Sequence, residues 1–436
     1  MIEKIFKIKE HHSTYRTEIV AGFTTFMTMA YILAVNPDML SETGMNRDAL
    51  FTATALASII GTLVMAFVAN LPFALAPGMG LNAFFTYTVV LQMGYSWQTA
   101  LAAIFVEGII FIVLTVFNIR EIIVNSIPVN LKKAIAVGIG LFIAFIGFQK
   151  AGLIVGNEST MVGLGDLNNG EVIVALSGII IIGILLIFKI KGAILLGIFG
   201  AALLGIPLGV THWPSGTLIE SPPSLNPIFM SFSFKEMLDP KIFIVIFTFL
   251  FVDMLDTVGT LVGVGAKANM LDDKGRLPKA KQALFSDAVA TTCGAVLGTS
   301  TVTTYVESAS GIAEGGKTGM TSFTVALLFG LALFFYPVFS IIPSAAAAPA
   351  LIIVGLFMIS PVKDIDLGNY SEAIPVFLTI IIMPLAYGIS YGIIFGILSY
   401  VILKTVSGKF KEVPVGLYIL FLLIVIKEIT DYILLH

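Results

Sequence analysis

The chain has 436 residues, of which 57% are hydrophobic and 12% charged, with a formal net charge of -3 at neutral pH. An ordinary globular domain carries roughly 25% charged residues, so water is not the main solvent of this protein, and no basic domain or arm exists to bind nucleic acid. The single cysteine, Cys293, excludes an intramolecular disulfide and any cysteine-built metal site.

Residues 1–16 are polar, rich in Lys, Glu and His, and lack the apolar core and small-residue cleavage site of a signal peptide. They are expected to remain as a cytoplasmic N-terminal segment. Beyond them, apolar stretches recur at 109–116, 134–148, 173–188, 193–210, 242–252 and 392–403. A spanning helix needs about 20 mostly apolar residues, so the chain has room for on the order of 12 to 14 crossings. Backbone groups in hydrocarbon must bond internally, which makes these crossings helices and the fold an all-α polytopic membrane protein.

Basic residues collect in 117–133, 189–191 and 266–281, whereas 150–171 and 211–239 carry more acids than lysines. The positive loops are expected to face the cytoplasm, which with a cytoplasmic N-terminus makes an odd-even pattern through the first ten crossings; the expected location is the plasma (inner) membrane. After Pro361 the pattern blurs, with short or Pro-broken segments at 371–384, 385–404 and 414–435.

A repeat lies under this pattern. At a shift of 225 places, Phe26 falls on Phe251, Met29 on Met254, Tyr31 on Asp256 and Asn82 on Glu307. In each half the third crossing is interrupted: 71–82 reads LPFALAPGMGLN and 298–307 reads GTSTVTTYVE, both poor in helix formers. The chain divides into a first repeat over 17–212, an extracellular connection over 213–239 and a second repeat over 240–436. With seven crossings per repeat, an odd number, the second copy is inverted. Interrupted segments at corresponding places mark a transporter site, because unwound backbone is tolerated only beside a cavity. Each is expected to be a short extended piece running into a half-helix whose first N–H groups are free for a ligand.

Three acids stand in apolar surroundings: Asp253 and Asp256 in FLFVDMLDTVGTL, and Glu307 in TTYVESASG. An acid at mid-bilayer costs about 2.5–3.5 kcal/mol on insertion scales, so Asp256 and Glu307 are expected to face the bundle interior and do work there. Asp253 lies about one turn earlier and can instead tie helices together. Two carboxylates suit a planar heterocycle with N–H donors along its edge, and such a group can also exchange a coupling proton. Asn82, in APGMGLNAFF, offers a donor and an acceptor beside glycines that permit close approach; an interhelical hydrogen bond is the competing role. Thr24, Thr25 and Thr28 suit packing between helices as well as a pocket. Phe26, Tyr31 and Phe84 can stack on a flat ligand, although any one of the 34 phenylalanines serves equally in the core. Glu107 and Asp287, inside further crossings, need partners, as relay groups or as helix ties.

GIAEGGKT over 311–318 fits the phosphate-loop frame literally, but no soluble βα unit precedes it. The four histidines, His11, His12, His212 and His436, lie outside the expected membrane core and show no metal-protease spacing. Neither an enzyme nor a cofactor or metal site is expected.

The stretches AGFTTFMTMAYILAVNP (21–37), ALAPGMGLNAFF (74–85), FVDMLDTVGTLVGV (251–264) and SASGIAEGGKTG (308–319), with Glu307 before the last, resemble the AzgA-like branch of the nucleobase/cation symporters. The resemblance covers nearly the full chain. It implies about fourteen segments in two inverted sets of seven, interleaved core and gate domains, and possible homodimers. It also implies purine import by cation symport, with a site between the broken third and tenth segments and the first and eighth. By that likeness Asp256 and Glu307 bind the base, and Gly80 and Asn82 fall on the purine-recognition motif. Asp256, Glu307 or Asp253 exchanges the coupling proton, and Thr28 and Phe26 line the pocket. The wider uracil and xanthine carriers show an E-S-x-G-D type pattern where this chain has DTVGT, a departure that favours purines without naming one. Sodium coupling, a xanthine/uracil-type carrier and an anion carrier of the same fold are the alternatives. The anion carrier is disfavoured by two acids with no cationic residue near them.

Overall fold

The computed structural model describes residues 2–117, 128–212, 217–267, 270, 277–422 and 424–425. After the short α1 (Ile2–Phe6), the Thr14 hydroxyl accepts from the Thr17 amide at 3.1 Å and starts α2 (Tyr15–Met29). This runs into α3 (Ile32–Ser41), so that Tyr15–Ser41 forms one span of 27 residues. Asn46 caps α4 (Arg47–Val64), which ends in a wide turn over Met65–Ala69. The first interrupted segment is the strand β1 (Leu75–Pro77), then α5 (Met79–Ala83) and a π-helical continuation over Phe84–Gln92. The first half is completed by α6 (Trp97–Val116), α7 (Val129–Lys150), the hairpin β2 (Ile154–Asn157) and β3 (Met161–Leu164), α8 (Gly170–Ile187) and α9 (Ala193–Gly205).

The second half repeats this order. It has α10 (Pro240–Lys267), α11 (Ala280–Leu297), the strand β4 (Val302–Thr304) with the half-helix α12 (Ser308–Ala313), and α13 (Gly319–Ala332) followed by α14 (Tyr336–Ser340). Then come α15 (Ser344–Ile359), α16 (Tyr370–Leu385) and α17 (Ile389–Val406). Among the described residues, nine helices are long and apolar enough to cross a membrane. With the shorter apolar helices α9 and α16, the two interrupted segments and α11, they make fourteen segments, seven in each half. The expected extended-then-helical form of both interrupted segments is thus present. Half of the Pro-broken segment 414–435, and most of the basic segments at 117–133 and 266–281 taken together, lie outside the described residues.

The chain forms two compact units, Met1–Phe117 with Ile146–Ile353, and Asn118–Phe145 with Val354–His436. In the first, α11 packs on α4 and α6, and α13 on α2 and α4, around the fully buried rings of Phe73, Phe84, Phe111, Phe249 and Phe329. In the second, α16 and α17 lie so close that a Cβ on Gly396 would meet the Thr379 hydroxyl at 2.0 Å, the small-residue packing by which membrane helices associate. Lys404, only 1% exposed, is held by Glu372 Oε1 at 2.9 Å and Glu412 Oε2 at 2.6 Å, and Asn130 donates to Glu372 Oε2 at 2.6 Å. A buried ammonium requires such partners, since a lone charge in hydrocarbon is costly.

Candidate functional site

The two interrupted segments complete each other. β1 and β4 pair antiparallel, with Leu75 opposite Thr304, Ala76 opposite Thr303 and Pro77 opposite Val302. Alone, either strand would leave backbone groups unpaired in the membrane interior, where each costs several kcal/mol. Groups outside the ladder go to neighbours: the Ala74 amide donates to Ser308 Oγ at 3.0 Å and the Leu75 amide to Thr62 Oγ1 at 3.0 Å. Ser322 donates to the carbonyls of Leu71 and Phe73 at 2.7 and 2.8 Å, and Tyr305 to that of Pro77 at 2.6 Å. Gly78 is required at the junction, because a Cβ there would lie 2.6 Å from Thr303 Cγ2.

Glu307 stands between β4 and α12, buried on most sides but partly accessible, and its Oε1 accepts from the Tyr31 hydroxyl at 2.8 Å. Asp256, on α10 and also partly accessible, accepts from Thr303 and interacts electrostatically with Asp287 and Glu307. The two acids therefore share one neighbourhood. Both belong to the second half; the first half brings Tyr31.

Behind them runs a fully buried polar chain. Thr257 Oγ1 lies 2.7 Å from Thr303 Oγ1, 2.8 Å from Asp287 Oδ1 and 3.2 Å from Asp253 Oδ1. Thr301 donates to Glu107 Oε2 at 2.9 Å. Asp253, Asp287 and Glu107 are all 0% exposed, so each has hydroxyl partners and none opens directly on the accessible space. Such a string of hydroxyls and carboxyls can both fix helices and pass protons.

Asn82 is buried in α5, where its Oδ1 accepts from Ser300; its Nδ2 has no hydrogen-bond partner among the described residues. That leaves a free donor at the start of a half-helix. Gly80 lies in the same first turn, partly accessible. Thr28 spends its hydroxyl on the backbone, donating to Thr25 O at 2.8 Å, with Glu307 O at 3.5 Å. Phe26 packs its ring edge-to-face on Phe329 at 5.2 Å, and Phe84 on Phe249 at 4.8 Å.

A family model described as the permease family matches residues 16–395. The chain belongs to the permease family. This permease is 41% identical to the adenine permease AdeP of Escherichia coli, over 98% of this chain and 96% of that protein. It is 43% identical to the guanine/hypoxanthine permease PbuG of Bacillus subtilis, over 97% of this chain and 99% of that protein. These relatives bear out the resemblance of the four motifs to the AzgA-like branch. Among solved structures, the transmembrane domain of a cyanobacterial bicarbonate transporter, BicA, matches with a TM-score of 0.62 at 14% identity, covering 89% of this chain and 95% of that one. That likeness concerns the fold alone, and it agrees with the expected two inverted sets of seven segments.

In the permease the repeat itself carried a signal that composition hid. The 225-place shift aligns Tyr31 with Asp256 and Asn82 with Glu307, so the four side chains are two equivalent pairs. Ser300 and Thr303 gave no separate signal beyond the hydroxyl-rich run TSTVTT, and Thr257 gave none within DTVGT. The close approach of α12 to α2 makes a further expectation. A Cβ on Gly311 would lie 2.1 Å from Thr25 Oγ1 and 2.3 Å from the Ala21 carbonyl. Because backbone cannot yield as a side-chain end can, Gly311→Ala should cost about 1–3 kcal/mol through overpacking. Thermal unfolding of the purified permease should show a lower midpoint for this variant, while Gly330→Ala, with open space at its Cβ, should not change it.

Proposed function

We infer that this permease is a secondary active transporter that imports purine nucleobases, guanine, hypoxanthine and/or adenine, by proton symport with alternating access. The observation that carries the reading is the shared neighbourhood of Asp256 and Glu307 beside the paired strands β1 and β4; the unpartnered Asn82 amide, in the half-helix that follows β1, supports it. A purine presents N–H donors and ring-nitrogen or carbonyl acceptors around one flat edge. Carboxylate oxygens accept from the former, and the Asn82 Nδ2 and the first amides of α5 donate to the latter. Support for the substrate class comes from AdeP and PbuG, named for adenine and for guanine/hypoxanthine.

Glu307 keeps one oxygen on Tyr31 and turns the other to the base. Asp256 exchanges the proton, with Thr303, Thr257 and Asp287 behind it as the polar route. In proteoliposomes, an inward proton gradient should drive accumulation of labelled purine, and an uncoupler should abolish it. Accumulation driven by a sodium gradient and indifferent to the uncoupler would replace the proton with sodium.

A further inference from the structure

The run GIAEGGKT has the spacing of a phosphate loop, yet its amides already hold an anion from the same chain. The Lys317 amide donates to Glu18 Oε1 at 3.1 Å, the Thr318 amide to Oε2 at 3.2 Å, and the Thr321 hydroxyl to Oε2 at 2.6 Å. Glu18 is 0% exposed, and Gly315, at φ +98°, makes the turn that no other residue adopts easily. The turn follows α12 directly, and Glu307 immediately precedes that helix. Six residues of helix form a stiff rod of about 9 Å. Along one face of α2 and the turn after it, residues three or four apart follow this rod from end to end. Glu18 holds the turn, Ala21 and Thr25 abut Gly311, Thr28 approaches the Glu307 carbonyl, and Tyr31 donates to the Glu307 carboxylate.

We propose that Glu18 is a positioning residue for Glu307: by clamping the turn after α12 it sets where the rod lies, and so where the carboxylate at the other end meets the substrate. This rests on the reading that Glu307 binds the base. In the Glu18→Gln variant an amide nitrogen faces a donor, and one of the three bonds is replaced by a donor–donor contact. The expected result is a KM for labelled purine raised about tenfold with Vmax within about twofold, the split of lost ground-state binding. Thr321→Val, which removes one donor and no charge, should raise KM in the same direction by about threefold. Hydrogen exchange on the purified permease should quicken over 305–313 in Glu18→Gln, although the substitution lies on another helix. An unchanged KM in folded Glu18→Gln, or unchanged exchange over 305–313, overturns the proposal. If the unmodified permease takes up no purine, the transport reading fails, and the exchange result alone decides whether Glu18 holds the segment.

Discussion

Replacing Glu307 by glutamine is expected to lower Vmax/KM for purine uptake about a hundredfold, the upper range for a charged hydrogen bond with a partner left unsatisfied. The geometry explains why so isosteric a change is severe. Tyr31 donates to Oε1 at 2.8 Å, so a glutamine must point its carbonyl at Tyr31 and its NH2 at the N–H edge of the base, or the reverse. In the first case two donors face each other; in the second the Tyr31 hydroxyl must turn to accept, and its own proton loses the carboxylate. Thr28→Ala in the same assay should stay within about twofold, because the Thr28 hydroxyl is already engaged with the Thr25 carbonyl at 2.8 Å. Near-normal transport in both variants would remove Glu307 from the site.

Asp256→Asn is expected to separate binding from coupling. Asparagine keeps an oxygen to accept from Thr303 and nearly the same volume, but it cannot take up and release a proton. One proton moving down a difference of one pH unit supports about tenfold accumulation. The variant should bring that ratio to about one, while counterflow of labelled against unlabelled purine continues at a reduced rate. Proton-driven accumulation surviving in Asp256→Asn would move the coupling step to Glu307 or Asp253.

How far these features were legible in the sequence follows from what each depends on. Apolar periodicity reports burial in lipid, and it found the spanning helices. Helix-poor composition found both interrupted segments, because Pro77, Gly78 and the run TSTVTT oppose a helix locally. The pairing of β1 with β4 was not legible. Three-residue strands carry no register signal, and their partners are 229 residues apart in the chain, from Leu75 to Thr304. Phe26 and Phe84 looked alike in sequence, yet Phe84 is fully buried against Phe249 while Phe26 remains partly accessible. Aromatic composition cannot separate those environments. The Thr303–Thr257–Asp287 chain was equally hidden, since threonine between membrane helices is ordinary until its neighbours are known.

The same long separation matters while the protein is being made. At roughly 5–20 residues per second, the ribosome needs on the order of 10–50 seconds after Leu75 before Thr304 is synthesised. Throughout that interval β1 has no strand to pair with, and its amides and carbonyls cannot be left bare in hydrocarbon. The nascent first half must therefore keep 71–78 hydrated or sheltered by the insertion machinery, and the junction of the two interrupted segments closes into shape only late in biogenesis.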